Sequence, residues 1–175
     1  MKNSNGCEWV SIAELCAKDA PVRYGILQPG PDIPEGVYYV RPKEISDDKI
    51  DVSSLRRTTT EIAHQYRRSS LLPNDIILSI VGTIGKVAIV PNELSGANIT
   101  QSSARIRADT ARINVEFLAW CLRSPILTDQ FEDFRMGTAV QRLNIDHVRR
   151  LRVPLPPLPE PVSYTHLTLP TNREV

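Results

Sequence analysis

The side chains best suited to chemistry are few, and their spacing argues against a reaction centre. Gly82-Thr83-Ile84-Gly85-Lys86 follows an apolar run and has the look of a phosphate-binding loop. Such a loop needs four residues between its glycines and a Ser or Thr after the lysine to ligate magnesium. Here two residues separate the glycines and Val87 follows, so a tight hairpin turn is expected instead. The G-x-x-G spacing also matches a nucleic-acid clamp, but a strand is expected to continue directly after it here. Asp129, Glu132 and Asp133 fall at i, i+3 and i+4 of a helix. A carboxylate pair can move protons, yet this pattern more often makes a solvated helix face. His64, His147 and His166 lack metal-ligand spacing. Cys7, Cys16 and Cys121 have no C-x-x-C spacing, so reduced thiols are expected rather than a zinc site or a disulfide framework. A G-x-S-x-G elbow, a glycine-rich methyl-donor loop and an Asn-Pro-Pro-Tyr-like motif are all lacking. No catalytic residue, metal ligand or cofactor is expected.

What remains is polar recognition chemistry. Arginine outnumbers lysine 16 to 5, and its planar fork suits bidentate contacts to phosphate and to guanine edges. The net charge of +1 hides a pattern. Residues 1–51 carry net −3, residues 52–112 net +4, residues 113–134 net −3 and residues 135–160 net +3. Two basic blocks alternate with two acidic ones. The weak total argues against a non-specific DNA coat, which needs a large basic excess.

These groups need elements to position them. Ser11-x-x-Glu14 fits a capping box opening a helix to about Lys18. Residues 19–36 read as an exposed loop rich in proline and glycine, and Val37–Arg41 as a strand. Residues 45–55 read as irregular or short-strand chain. Thr58-x-x-Glu61 is a second capping box, predicting a helix to about Arg67. Pro73-Asn74-Asp75 predicts a turn, and Asp75–Val81 and Lys86–Val90 predict a hairpin about the Gly82–Gly85 turn. Gln101–Ala108 alternates, predicting a strand with Ser103, Arg105 and Arg107 on a wet face. Asn114 is expected to cap a helix to Leu122, with Phe117, Leu118, Trp120 and Leu122 in the core. Ser124-Pro125 starts a helix to about Arg135, and Asn144 caps a short helix, Ile145–Arg150. The proline-rich Val153–Pro159 can be neither regular helix nor inner strand. Without a βαβ rhythm, the expected class is α+β: one domain with a twisted, mostly antiparallel sheet flanked by short helices.

The chain of 175 residues suits one such domain. No apolar run approaches the roughly 18–20 residues of a membrane span, and residues 1–10 carry no signal-peptide pattern. A cytoplasmic protein is expected. Residues 161–175 resemble translated sequencing-adapter DNA and are expected to be a non-native tail.

Several motifs, in their order along the chain, resemble one family. They are Glu8-Trp9-Val10-Ser11-Ile12-Ala13-Glu14-Leu15, Tyr24-Gly25-Ile26-Leu27-Gln28-Pro29-Gly30, Tyr39-Val40-Arg41-Pro42, Leu72-Pro73-Asn74-Asp75, Val81-Gly82-Thr83-Ile84-Gly85-Lys86, Ile99-Thr100-Gln101-Ser102, Gly137-Thr138-Ala139-Val140-Gln141-Arg142-Leu143-Asn144 and Leu151–Glu160. Residues 8–160 thereby resemble the target-recognition domain of specificity subunits of type I restriction–modification systems. The resemblance implies that residues 1–160 form a domain laying loops and strands on double-stranded DNA, each domain reading half of a split target. It also implies partner methyltransferase and restriction subunits, which act where this chain does not. In the family a long helix follows the closing glutamate and a second domain follows that; the chain is expected to be the first part of a longer subunit.

On that resemblance, Gln28, Asn98, Gln101, Gln141 and Asn144 can pair with adenine edges. Arg41, Arg67, Arg68, Arg105 and Arg142 can meet guanine or phosphate, and Lys86 phosphate. Tyr24, Thr83 and Thr138 complete the expected contact set on the same loops. Two other functions remain open at this point. One is a nuclease or DNA methyltransferase fragment with its own site. The other is a protein-interaction domain using Val153–Pro159 as an extended polyproline ligand.

Overall fold

Short polar side chains set most of the helix starts. In the computed structural model, which describes residues 7–134 and 140–155, β1 (Glu8–Ser11) meets α1 (Ile12–Leu15) at a complete capping box. Glu14 N–H donates to Ser11 Oγ, and Ser11 N–H donates to the Glu14 carboxylate at 3.0 Å. The helix stops at Leu15, short of Lys18, because Cys16 is extended and bridges Ala108. β2 (Arg23–Tyr24), β3 (Val37–Val40), β4 (Ile45–Ser46), β5 (Lys49–Ile50) and β6 (Arg56–Thr58) follow. α2 (Thr60–Gln65) is capped by Thr59, whose Oγ1 accepts from Ile62 N–H at 3.2 Å. The predicted box at Thr58 is thus one residue out of register. Thr58 closes β6 and its hydroxyl donates to Pro29 O.

β7 (Ile76–Ser79) and β8 (Val87–Ile89) form the predicted hairpin, and β9 (Asn98–Ile99) and β10 (Ser103–Ile106) come next. α3 (Val115–Arg123), α4 (Pro125–Phe134), α5 (Ile145–Arg150) and β11 (Arg152–Leu155) complete the described chain. Asn114 and Asn144 cap α3 and α5, accepting from Phe117 N–H at 2.9 Å and His147 N–H at 2.8 Å. Ser124 marks the start of α4 as expected, but its hydroxyl donates back to Cys121 O at 2.6 Å.

The class is α+β with mostly antiparallel pairing, divided among separate sheets. The central sheet has the order β2-β10-β7-β8, and β6-β3-β9 forms a smaller one in which β3 and β9 run parallel. Both faces of the central sheet are covered. Ile76, Leu78, Ala104 and Ile106 point toward the helices and pack with Ile12, Leu118, Leu122, Leu127 and Val148. Ile77 and Ala88 point the other way and pack with Val40, Ile99, Leu71 and Leu94. Each fully buried aliphatic side chain contributes about 1.5–3 kcal/mol. The second layer overturns one expectation: Ser103 and Arg105, predicted on a wet face, are 0% and 2% exposed. Trp120 is corrected in the opposite sense. Leu118 and Leu122 are core, but Trp120 is 37% exposed and stacks on Phe117.

The proline-rich exit is more regular than expected over its first part. Among the described residues β11 pairs with β1 alone, with Pro154 opposite Trp9. An edge strand tolerates a residue that lacks a backbone donor. Residues 156–159 lie outside the described residues. Among those described, no helix is long and apolar enough to cross a membrane.

Candidate nucleic-acid interface

The interface begins at a close backbone approach. Gly25 lies against β9, where an added Cβ would sit 1.8 Å from Ile99 O. That contact lets Ile26 pair in parallel with Thr100, with Gln101 N–H donating to Ile26 O at 2.9 Å. Tyr24 and Gln101 are thereby held beside each other, both exposed.

The hairpin turn supplies the second support. Gly82 and Gly85 take φ of +75° and +95°, the left-handed region that glycine enters without a Cβ clash. Ser79 Oγ fixes the turn, donating to Thr83 O and accepting from Lys86 N–H at 2.8 Å. The turn is joined to the segment before α5. Gly82 N–H donates to Gln141 O at 2.9 Å, Leu143 N–H donates to Ile80 O at 2.8 Å, and Val81 bridges Arg142. Two loops far apart in sequence thus act as one surface.

Tyr24, Gln101, Arg142 and Asn144 line a cleft of about 400 Å³ with Leu27 and Val81. Tyr24 also borders a second cleft of about 360 Å³, which includes Gln65, Arg68 and Arg149. Arg23 and Arg68 lead from there to a third of about 500 Å³, where Arg67 lies. Tyr24, Arg67, Arg68, Gln101 and Arg142 therefore share one face. Gln28, Thr83 and Gln141 are exposed on its neighbouring loops. Thr138 lies outside the described residues.

Five expected contact residues are engaged in holding the frame. Arg41 pairs with Glu44, NH2 to Oε1 at 2.5 Å and Nε to Oε1 at 2.9 Å, and Glu44 is 3% exposed. Lys86 Nζ donates to Pro42 O at 3.1 Å and Ile45 O at 3.0 Å, tying the hairpin to the segment after β3. Asn98 is buried, its Oδ1 accepting from Ser69 Oγ at 2.9 Å and Ile99 N–H at 3.0 Å. Arg105 is buried and donates to Pro21 O. Asn144 is exposed, but its Oδ1 is spent on the α5 cap. A bidentate pair with adenine needs that oxygen free.

The sequence reading missed Arg23, Gln65, Arg107 and Arg149, which the fold brings to this face. Arg23 could have been found from its place beside Tyr24. Arg107 forks onto buried Asp75, Nε to Oδ1 at 2.7 Å and NH2 to Oδ2 at 2.8 Å, and that hydrogen-bonded carboxylate holds the guanidinium above its ordinary pKa. Arg149 pairs with Asp146 and also donates to Val22 O.

The face offers hydrogen-bond forks, amides and an aromatic ring. Burial pushes the Cys16 thiol up to about 11 and the Cys121 thiol up to about 12. Both thiols are protonated near neutrality and poor nucleophiles. Asp129, Glu132 and Asp133 are exposed on α4. Among the described residues, no group of three or more His, Cys, Asp or Glu could hold a metal.

The profile of a family described as "Type I restriction modification DNA specificity domain" matches residues 30–163. The chain belongs to this family. A curated relative, the type I restriction enzyme EcoBI specificity subunit of Escherichia coli, is 36% identical over 140 residues. That match covers 80% of this chain and 29% of the relative, so the specificity domain here spans under a third of that subunit. The fold is shared with the HsdS subunit from Thermoanaerobacter tengcongensis, at a TM-score of 0.63 and 24% identity, covering 90% of this chain and 40% of that one. A chain from a structure on complex assembly and conformational transition of the type I R-M system gives 0.62 and 22%, with the same coverage.

Proposed function

We propose that this specificity domain reads one part of a split DNA target and directs partner methyltransferase and restriction subunits without catalysing a reaction. One observation carries the reading. The segment before α5 is hydrogen-bonded into the Gly82–Gly85 turn, which presents Arg142 beside Tyr24 and Gln101, with Gln141 exposed next to it, on a face edged by Arg67 and Arg68. Amides and guanidiniums read base edges, while the flanking arginines take phosphates. The contact set proposed for bases is Gln28, Gln101, Gln141 and Arg142, with Tyr24, Thr83 and Thr138 beside them. The working domain is residues 1–160, with 161–175 a non-native tail, in a cytoplasmic setting.

The test is selection of duplexes bound by a subunit that carries this domain, assembled with its methyltransferase partner. A defined split sequence should emerge and should bind more tightly than its scrambled version at moderate salt. Equal affinity for both would sink the reading. DNA cleavage or methyl transfer by the purified chain alone would restore the rival enzyme reading.

A further inference from the structure

Three guanidiniums lie on one face of the central sheet. Arg105 stands directly opposite Arg23 in the β10–β2 register, and Arg107 follows two residues along the same side. Like charges directly opposed across a ladder weaken pairing. Asp75 compensates Arg107 through the forked contact described above. Arg105 makes no ion pair among the described residues, and the nearby Asp75 charge relieves it only in part. It is 2% exposed, donates from NH2 to Pro21 O at 3.0 Å, and its buried Nε has no partner among the described residues. Burial and the Arg107 charge both push its pKa down, yet an arginine stays protonated in a protein. The fold therefore holds an under-compensated buried cation, which is costly to maintain.

This cation borders the 500 Å³ cleft, together with Arg23, Arg67, Arg68 and Arg107, and Asp19 is the one acidic residue in the lining. We infer that the cleft is an oxyanion site that receives a phosphodiester of the DNA backbone. Arg105 and Arg23 form its floor and Arg67 and Arg68 its rim; the assignment rests on the DNA-reading function proposed above. A guanidinium fork matches two phosphate oxygens, and an anion there would offset the repulsion between Arg23 and Arg105. A backbone phosphate fits better than a small free anion because the cleft is open and continues through Arg23 and Arg68, then Tyr24, to the amide-bearing cleft. A strand laid along this path would put its phosphate among the arginines and its bases against Gln101 and Arg142.

The test uses the full chain, inorganic phosphate and a labelled duplex of mixed sequence. At ionic strength matched with chloride, phosphate should raise the wild-type melting temperature by about 2–4 °C. Arg105→Met should abolish that response while melting close to wild type in chloride, since the lost bond to Pro21 O is offset by removal of an under-compensated buried charge. The exposed pair of changes Arg67→Gln and Arg68→Gln should lower the slope of log affinity against log salt by about 1–2, equally for every sequence. If Arg105→Met melts well below wild type in both salts, Arg105 is structural and the inference falls. If phosphate stabilises the protein but the salt slope does not change, the cleft takes free phosphate and the backbone assignment falls. Unchanged slopes alongside intact sequence preference would overturn this inference alone. A wild-type chain that binds no duplex would overturn this inference, and only an assembled subunit that also selects no sequence would overturn the DNA-reading function.

Discussion

Replacing Asp75 with alanine removes three hydrogen bonds from one buried carboxylate. Asp75 is 1% exposed and accepts from Leu72 N–H at 2.8 Å and from Arg107 at 2.7 and 2.8 Å. Breaking a buried ion pair from one side costs about 3–5 kcal/mol, because the other charge stays behind. The Arg107 side chain is 24% exposed, so water recovers part of its solvation. The lower end, about 3 kcal/mol, is therefore expected for Asp75→Ala, or a fall of about 6–12 °C in melting temperature at this chain length. Arg107→Met should cost a similar amount, leaving the carboxylate in the interior with only Leu72 N–H. The double variant loses both charges and keeps two orphans, Leu72 N–H and the part-buried Ser70 O, at about 2–3 kcal/mol in all. Urea denaturation of the four proteins should thus give a coupling of at least about 2 kcal/mol. Additive losses would refute the claim that the pair exists chiefly to neutralise itself.

Gly25→Ala forces a Cβ to within 1.8 Å of Ile99 O, so backbone must move and about 3 kcal/mol should be lost; Gly82→Ala, with φ of +75° but nothing within 4 Å of its Cβ, should lose only about 1 kcal/mol. Thermal melts of the two side by side test the contrast, and equal losses would refute it. Burial holds the Cys16 and Cys121 thiols neutral, with pKa values raised from 9.0 to about 11 and about 12. Their contribution to stability is full below pH 9 and is lost as pH rises through that window. Urea denaturation between pH 8 and 11 should show the loss, and Cys121→Ala should flatten it. Gln141→Ala and Arg142→Ala should leave the melting temperature unchanged and relax base preference, by about 1–3 kcal/mol for each lost bidentate contact. Asn98→Ala should do the reverse in the same melts and duplex selections, lowering stability while the preferred sequence stays the same.

What was legible in the sequence was local. The Gly82–Gly85 hairpin, the Ser11–Glu14 box and the Asn114 and Asn144 caps depend on residues within a few positions of one another, and all four are present. Thr58 and Thr59 are adjacent hydroxyls with equal local claims on a cap; the β6 pairing of Thr58 with Val37 decides between them. The errors in the contact set arise from partners far along the chain. Lys86 finds carbonyls at Pro42 and Ile45, and Asn98 finds Ser69. The alternation from Ser103 to Ala108 reads as one wet face because most two-faced strands have one. Only the layer built from β3, β9 and Leu71 shows that both faces are covered. The same burial that removes Arg105 from the surface exposes its imbalance, which no spacing rule could reveal.

The β1–β11 clasp has a mechanical consequence. Glu8 faces Leu155 and Ser11 faces Arg152, so the Glu8 and Leu155 ends of the two strands lie side by side. Tension that draws those ends apart acts on the outermost rung first, then on the next. The bonds would open in succession, as in a zipper, and would not share the load as they do under shear. Pro154 has no N–H to give to that seam, which softens it further. Under strain from whatever is attached at residues 8 and 155, the clasp should yield before the central sheet that carries the reading face.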